Sequence, residues 1–178
     1  MNASVSKDMA VCLYTAIATD WGFFRYANTT SATLRCVAEL MDFGAEPSAI
    51  SEVLETKPLK SITTLTKVLG TLETYENGKI AAVTVAPEIV DDSSETTEGF
   101  INYPRNIEGV EIAMMFRPTE AGTRISFRSR GADVSKLALS FGGGGHMRAS
   151  GCTVTGDFPT AKERVLEAAA KLLAESGQ

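Results

Sequence analysis

Histidine is almost absent from the sequence: of its 178 residues only His146 is a histidine. A zinc site built from several histidines, or a metalloprotease of the His-Glu-x-x-His type, needs at least two imidazoles from one chain. These classes of metalloprotein are therefore excluded for this chain acting alone.

Cysteine and long apolar runs are also scarce. The three cysteines, Cys12, Cys36 and Cys152, are odd in number and far apart, so we expect neither a disulfide framework nor a Cys-x-x-Cys redox or zinc motif. No apolar run approaches the roughly 18 residues that a membrane span requires. The short apolar stretch at residues 9–18 lacks the basic segment that precedes a signal-peptide core. We therefore expect a reduced, cytoplasmic protein with no membrane partner.

The overall charge is negative, which argues against a large nucleic-acid-binding surface. Seventeen basic and 22 acidic residues leave a net charge of -5, while 44% of the residues are hydrophobic. This composition is that of an ordinary globular protein. It argues against a broadly electropositive surface but is compatible with a local basic strip.

The first third of the chain has helical periodicity. Residues 4–19 predict a helix, and possible N-caps at residues 28–31 open a second one that Gly44 ends. Pro47 and Pro58 each stand near the first turn of a further helix. The side chains expected on the buried faces of the first two helices are Val11, Cys12, Tyr14, Ala16, Ile17, Leu34, Val37, Ala38 and Met41.

After Leu72 the periodicity becomes that of strands. A hairpin is predicted over residues 72–86 with Asn77-Gly78 in its turn. Strands are expected at 110–117, 123–128 and 151–155, a helix capped by Asp133 lies between the last two, and a capping-box sequence at 160–163 opens the terminal helix. The predicted fold class is α+β (α/β): a helical segment (residues 1–57), a helical connector (58–71) and a mixed β-sheet domain with flanking helices (72–178).

The strand at residues 123–128 carries a polar face. Arg124, Ser126 and Arg128 alternate with apolar neighbours and so share one side of the strand, and Ser129 and Arg130 extend the polar cluster. Same-face neighbours lie roughly 7 Å apart, close to the spacing of phosphates along an extended nucleotide chain. The arginine fork suits phosphate oxygens. The alternative is the ordinary solvated face of an antiparallel sheet.

A run of four glycines precedes the single histidine. In Gly142, Gly143, Gly144 and Gly145 several backbone N–H groups can converge on an anion without obstruction by a Cβ atom. The run has no Walker A lysine and follows the C-terminal end of a helix, so His146 and Arg148 would have to supply the positive charge. The alternative is a flexible linker.

These residues carry a resemblance. Ser-Phe-Arg-Ser-Arg at 126–130 and Gly-Gly-Gly-Gly-His-Met-Arg-Ala-Ser-Gly at 142–151 resemble the signature of the C-terminal domain that accompanies DHH-type phosphoesterases. Residues 13–30 resemble the last metal-site stretch of the catalytic domain, with Trp21 in place of its usual threonine. The similarity is closest to the oligoribonuclease and 3′-phosphoadenosine 5′-phosphate phosphatase (nano-RNase) branch.

The resemblance implies a division of labour. Residues 1–57 would be the end of the catalytic domain and 72–178 the substrate-binding domain, in which Arg128, Ser129, Arg130, the glycines 142–145 and His146 hold a short RNA or a nucleotide. In the family two manganese ions activate a water for attack on phosphorus. Asp20 would be one of their ligands. The family's Asp-His-His triplet and its other ligands have no counterpart here, so the chain is similar to the C-terminal part of a two-domain enzyme.

Two classes of function follow. The first is the substrate-binding half of a manganese-dependent phosphoesterase that hydrolyses short oligoribonucleotides or nucleotide bisphosphates, with the chain inactive by itself. The second is a non-catalytic nucleic-acid- or nucleotide-binding module. In either case the loss of neighbouring helices would expose apolar surface, so a homodimer is one expected assembly.

Overall fold

A computed structural model describes residues 5–20, 22–25, 29–90 and 97–176. The chain divides into two compact units, Met1–Lys57 and Pro58–Gln178. Among the described residues, no helix combines the length and the apolar character needed to cross a membrane.

The first unit contains three helices: α1 (Lys7–Asp20), α2 (Ser31–Asp42) and α3 (Pro47–Glu55). The cap of α2 is Thr30, whose Oγ1 accepts from the Thr33 N–H at 3.1 Å, while Thr33 Oγ1 accepts from the Thr30 N–H. This reciprocal arrangement satisfies two backbone donors that the helix leaves without partners. The predicted N-cap region is thereby confirmed.

The core of the first unit is small and uses fewer side chains than the sequence predicted. It consists of Ala10, Tyr14, Ala18, Val37, Leu40 and Ala45. The prediction that Cys12 and Ala16 are buried was wrong, since both are exposed. Helix α1 is apolar around most of its circumference, so its residue pattern does not select the face that packs. In α2, Leu34 and Met41 are about half exposed and Ala38 is exposed, so their predicted burial was wrong as well.

The second unit is a six-stranded sheet with helices on both faces. Its elements are α4 (Leu59–Leu69), β1 (Glu73–Tyr75), β2 (Ile80–Thr84), α5 (Asn102–Arg105), β3 (Ile112–Thr119), β4 (Gly122–Ser129), α6 (Val134–Ser140), β5 (Gly144–His146), β6 (Ala149–Val154) and α7 (Phe158–Ser176). The strand order is β1-β2-β3-β4-β6-β5, with β2 and β3 parallel and the other described pairs antiparallel. The predicted α+β class with a mixed sheet is confirmed.

The β1–β2 hairpin turns where the sequence predicted. A short 3₁₀ segment, Glu76–Gly78, connects the strands, and Asn77 and Gly78 have φ values of 55° and 85°. Both residue types tolerate this left-handed backbone better than others do. Asp133 also caps α6 as expected, because its carboxylate accepts from the Ser135 N–H at 3.1 Å.

Two boundaries differ from the sequence prediction. The sequence predicted no strand within the glycine run, but Gly144–His146 forms strand β5, which pairs with β6. Helix α7 begins at Phe158, before the expected capping box, because the Asp157 carboxylate accepts from the Thr160 N–H at 3.0 Å. Asp157 is therefore the cap, and Thr160 lies in the first turn.

The two faces of the sheet are covered unequally. Helices α6 and α7 cover one face over a core that includes Phe116 and Phe127. On the other face α4 and α5 pack on β2 and β3, where Val68 meets Val83 and Ile101 meets Ala113. Strands β4, β6 and β5 leave that second face partly open.

Candidate functional site

The open part of the sheet collects the polar face of β4 and the glycine run on one surface. Arg124 is exposed and Ser126 and Arg128 are half-buried, whereas Ile125 and Phe127 are buried on the opposite face. The alternation predicted for this strand is confirmed. We call the surface formed by β4, β6 and β5 on this side the open face.

Arg128 and His146 belong to one row of the open face. Arg128 pairs with Ala149 of β6, and Ala149 pairs with His146 of β5, so the three side chains project from the same side. Two strand spacings place the Cα atoms of Arg128 and His146 roughly 10 Å apart. A guanidinium and an imidazole at this separation can both reach one phosphate group held above the small Ala149.

The next row of the open face is made of small residues. Ser126 pairs with Gly151, which pairs with Gly144. Beside this row lies a concavity of about 410 Å³, lined by Arg124, Ser126, Gly142, Gly143, Gly151 and Thr153, with Ile125 and Cys152 also on its border. A floor of glycine and serine lets a ligand approach the backbone closely, which is a known use of glycine. The alternation along β4 and β6 indicates that Arg124 and Thr153 point to the same side as the site. The concavity itself follows only from how β4, β6 and β5 pair, which the sequence does not show.

The four glycines have different surroundings. A Cβ atom on Gly143 would collide with the Gly151 carbonyl oxygen and lie 2.6 Å from Cys152 Cβ, so this position must lack a side chain for the strands to pack. A Cβ atom on Gly144 would meet nothing within 4 Å, because Gly144 faces the open side. Packing therefore explains the glycine at 143 but not the one at 144.

Ser129 and Arg130 lie apart from that row. Ser129 is fully buried, and its Oγ donates to the Ala132 carbonyl oxygen at 2.5 Å, so the structure does not bring this hydroxyl to the open face. Arg130 is exposed just beyond β4, and its backbone N–H donates to the Glu111 carbonyl. Arg128 Nη1 donates to the Phe127 carbonyl oxygen at 2.9 Å. Of the predicted binding residues, Arg128, Gly144 and His146 share the open face.

Two buried hydroxyls fasten the segment next to the site. Besides the Ser129 bond, Ser150 Oγ donates to the Val134 carbonyl oxygen at 2.6 Å. The Val134 N–H donates in turn to the Met147 carbonyl oxygen at the tip of the β5–β6 hairpin. These bonds tie the start of α6 to both β4 and the hairpin that carries His146. Buried hydrogen bonds of this kind hold a backbone in one geometry.

Cys152 lies beside the glycine run but faces the α6 and α7 side. It is buried, and this burial raises the pKa of its thiol to about 11. The thiol is therefore neutral near pH 7 and is not a reactive nucleophile.

Asp20 is the residue that the resemblance assigns to metal binding. It is the last residue of α1 and is exposed. In the parts of the chain that the structure describes, no three His, Cys, Asp or Glu side chains are grouped so that they could hold a metal ion. A two-metal site needs several carboxylate and imidazole ligands. The described donors do not fit such a site, and we derive no chemical step through a metal.

Comparison with known proteins defines the class. The model of the DHHA1 domain matches residues 77–175, which is more than half of the chain and contains both β4 and the glycine run. The chain therefore belongs to the DHHA1 domain family.

Two similar proteins from different bacteria share one name. A bifunctional oligoribonuclease and PAP phosphatase NrnA of Thermus thermophilus is 34% identical over 97% of this chain and 53% of its own length. The protein of the same name from Bacillus subtilis is 28% identical over 82% of this chain and 47% of its own length. The chain thus spans about half the length of the curated relatives it matches.

Solved structures agree with the fold. An exopolyphosphatase-related protein from Bacteroides fragilis has a TM-score of 0.82 and 27% identity, over 96% of this chain and 51% of that one. A pGpG-specific phosphodiesterase, PggH, has a TM-score of 0.52 at 14% identity, which supports the fold alone.

Proposed function

We propose that the open face binds the phosphates of short oligoribonucleotides or nucleotide bisphosphates, and that the chain is the substrate-binding half of a manganese-dependent phosphoesterase. The observation that carries the proposal is the Arg128–Ala149–His146 row, which puts a guanidinium and an imidazole on the same side of the sheet with a small residue between them. The names of the NrnA relatives support the substrate class.

Each side chain has a stated role in binding. The Arg128 guanidinium donates to phosphate oxygens and offsets their charge. His146 donates a further hydrogen bond from its ring N–H. Gly144 leaves room for the sugar-phosphate backbone to lie against the strand. None of these residues takes part in bond cleavage, so we expect the 178-residue chain to hydrolyse no dinucleotide, with or without manganese.

A non-catalytic nucleotide-binding module is the second candidate. The donor set favours it, because Asp20 is the single residue here that the resemblance assigns to metal. Manganese-dependent release of mononucleotides by the purified chain would contradict both this candidate and the expected inactivity.

The binding site is tested by isothermal titration calorimetry with adenosine 3′,5′-bisphosphate. A charge-assisted hydrogen bond is worth roughly 1.5–3 kcal/mol, so Arg128→Ala should weaken binding about tenfold or more. His146→Ala should weaken binding as well, because the imidazole N–H is a hydrogen-bond donor to phosphate oxygens.

Lys136→Ala is the matched control for this measurement, since Lys136 is an exposed cation on α6 away from the open face. Equal affinities for wild type, Arg128→Ala and His146→Ala would remove the proposed site. Equal losses of affinity in Arg128→Ala, His146→Ala and Lys136→Ala would show that binding depends on net charge and not on a specific site.

A further inference from the structure

The side of the sheet opposite the open face carries a groove that the proposed nucleotide site does not use. The groove lies between α7 and the β1–β2 hairpin, where Tyr75 packs against the core beneath α7, and its volume is about 590 Å³. We call it the α7 groove. Because the sheet separates the α7 groove from the open face, a molecule bound in the groove leaves the nucleotide site accessible.

The floor of the α7 groove is apolar. Leu166 and Ala170 of α7 are half-buried, and Ile80 of β2 is fully buried. The residues that α7 contributes recur at intervals of three and four from Pro159 to Ala170, so they form one face of the helix about three turns long. A small residue such as Ala170 lets a second helix approach closely.

Three carboxylates lie beside this floor. Glu163 and Glu167 are exposed on α7, and Glu76 is exposed on the 3₁₀ segment of the hairpin. Within the described residues these three side chains have no ion-pair partner. The cation that lines the groove, Lys162, donates to Glu73. The α7 groove therefore keeps a net negative charge.

The cations of α7 make their contacts elsewhere. The Lys162 ammonium lies 5.8 Å from the centre of the Phe158 ring, and the Arg164 guanidinium lies 5.8 Å from the centre of the Phe141 ring. The third cation of this helix, Lys171, is exposed and lies outside the groove lining. The carboxylates of the groove are thus left for a partner to neutralise.

An apolar floor flanked by carboxylates is complementary to an amphipathic helix with basic residues. Such a helix lays apolar side chains at positions i, i+3, i+4 and i+7 into a groove. Lysines or arginines four positions apart on its flank match the spacing of Glu163 and Glu167 along α7. A nucleic acid or an anionic membrane surface has the same sign of charge as the groove and is repelled.

We propose that the α7 groove docks a basic amphipathic helix of a partner protein. The apolar side chains of that helix pack on Leu166 and Ala170, and its basic side chains pair with the three carboxylates. The site goes beyond the proposed nucleotide binding and does not depend on it, since the two lie on opposite sides of the sheet.

The test measures the fluorescence anisotropy of a labelled synthetic peptide titrated with the 178-residue chain. The peptide is a helix with leucines at i, i+3, i+4 and i+7 and lysines four positions apart beside them. Wild type should bind it. Glu163→Gln combined with Glu167→Gln should weaken binding about fivefold through the loss of two exposed ion pairs. Ala170→Arg should weaken it about tenfold or more, because the larger side chain fills the floor of the groove.

Matched controls separate the groove from charge and from general stickiness. Glu108→Gln combined with Glu120→Gln removes the same charge from the loop after α5 and from the β3–β4 turn, and should leave the peptide affinity unchanged. Met9→Lys combined with Leu13→Lys alters exposed apolar residues of α1 and should also leave it unchanged. Thermal unfolding of Ala170→Arg checks that the variant is folded, and the glutamine pair tests the groove without added bulk.

Several outcomes would overturn the docking site. These are no binding by wild type, equal binding of a peptide with glutamates in place of the lysines, and loss of binding in the α1 variant. If Ala170→Arg instead abolishes self-association of the chain in light scattering, the occupant is a second copy and not a partner helix. Adenosine 3′,5′-bisphosphate should bind Ala170→Arg and wild type equally, so either site can fail while the other stands.

Discussion

Gly143 and Gly144 are neighbours in the chain, but a methyl group added to each would meet different surroundings. At position 143 it would collide with the backbone of β6, and at position 144 it would enter open space above the sheet. The glycine run therefore combines a packing requirement with a surface that a ligand can approach. The sequence alone does not distinguish the glycine that packing requires from the one that faces the open side.

This difference gives a prediction at the residue scale. Gly143→Ala should lower the free energy of unfolding by about 1–3 kcal/mol, the usual cost of overpacking, because β5 must move away from β6. Gly144→Ala should leave stability nearly unchanged but weaken the binding of adenosine 3′,5′-bisphosphate, because its methyl group stands on the open face. Urea unfolding and calorimetry on both variants measure the two effects. Stability loss at 144, or none at 143, would contradict the structure of this hairpin.

Individual residues of β4 show which orientations the sequence predicted and which contacts it did not. The pattern of β4 correctly set Arg124, Ser126 and Arg128 against Ile125 and Phe127. Continued by one residue, that alternation turns Ser129 inward, where its hydroxyl bonds to the Ala132 carbonyl. The pairing of Arg128 with His146 through Ala149 was not accessible from the sequence, because register between distant strands depends on tertiary packing.

At the scale of elements, the ends of helices are easier to predict from the sequence than the presence of a short strand. Caps are local, so the sequence predicted Asp133 and the region 28–31 that contains the cap Thr30. Strand β5 is nearly all glycine, which disfavours strands, and it exists because β6 supplies its hydrogen bonds. The start of α7 was misplaced because Asp157 and Thr160, three positions apart, are both good N-cap residues, and the sequence does not decide between them.

The cap of α7 gives a prediction with a pH dependence. Hydrogen bonds from Thr160 hold the pKa of the Asp157 carboxyl below its ordinary value. A lowered pKa in the folded state means that the ionised carboxylate stabilises the fold above the ordinary aspartate pKa near 4, and that this contribution is lost as the pH falls through the lowered value. Asp157→Ala should therefore lower the melting temperature by a few degrees at pH 7.

The gap in melting temperature between wild type and Asp157→Ala should narrow as the pH falls toward about 3, since wild type then loses the same stabilisation. Glu167→Ala is the control, because Glu167 is exposed in the middle of the same helix and its substitution removes an equal charge. A gap that stays constant between pH 7 and pH 3 would show that the carboxylate does not act as the cap.

At the scale of the whole molecule, the two units differ in how much apolar surface they bury. The second unit places Phe116, Phe127 and Met114 in a fully buried core between the sheet and its helices. The three helices of the first unit bury mainly alanine, one tyrosine, one valine and one leucine. A core of that size is small for independent stability. The sequence pattern assigned Cys12 and Ala16 to the interior of this unit, whereas both are exposed.

Those two residues belong to an exposed apolar stripe on α1. Met9, Cys12, Leu13 and Ala16 follow the spacing of one helix face, and all four are exposed, Met9 and Leu13 at 48% each. Contiguous exposed apolar surface favours association. We therefore predict that the 178-residue chain self-associates through α1, so that its average mass in light scattering rises with concentration under reducing conditions that prevent cross-linking through Cys12.

The double variant Met9→Lys, Leu13→Lys should raise the dissociation constant of that association by roughly tenfold or more. Completing the burial of two half-exposed side chains contributes on the order of 2 kcal/mol, and the added like charges oppose contact. Leu139→Lys is the matched control, because Leu139 is exposed on α6 in the second unit. If the wild-type mass stays that of a monomer at every concentration, or if wild type and the double variant associate equally, α1 is not the contact. If Leu139→Lys weakens association as much as the double variant does, the contact involves the second unit.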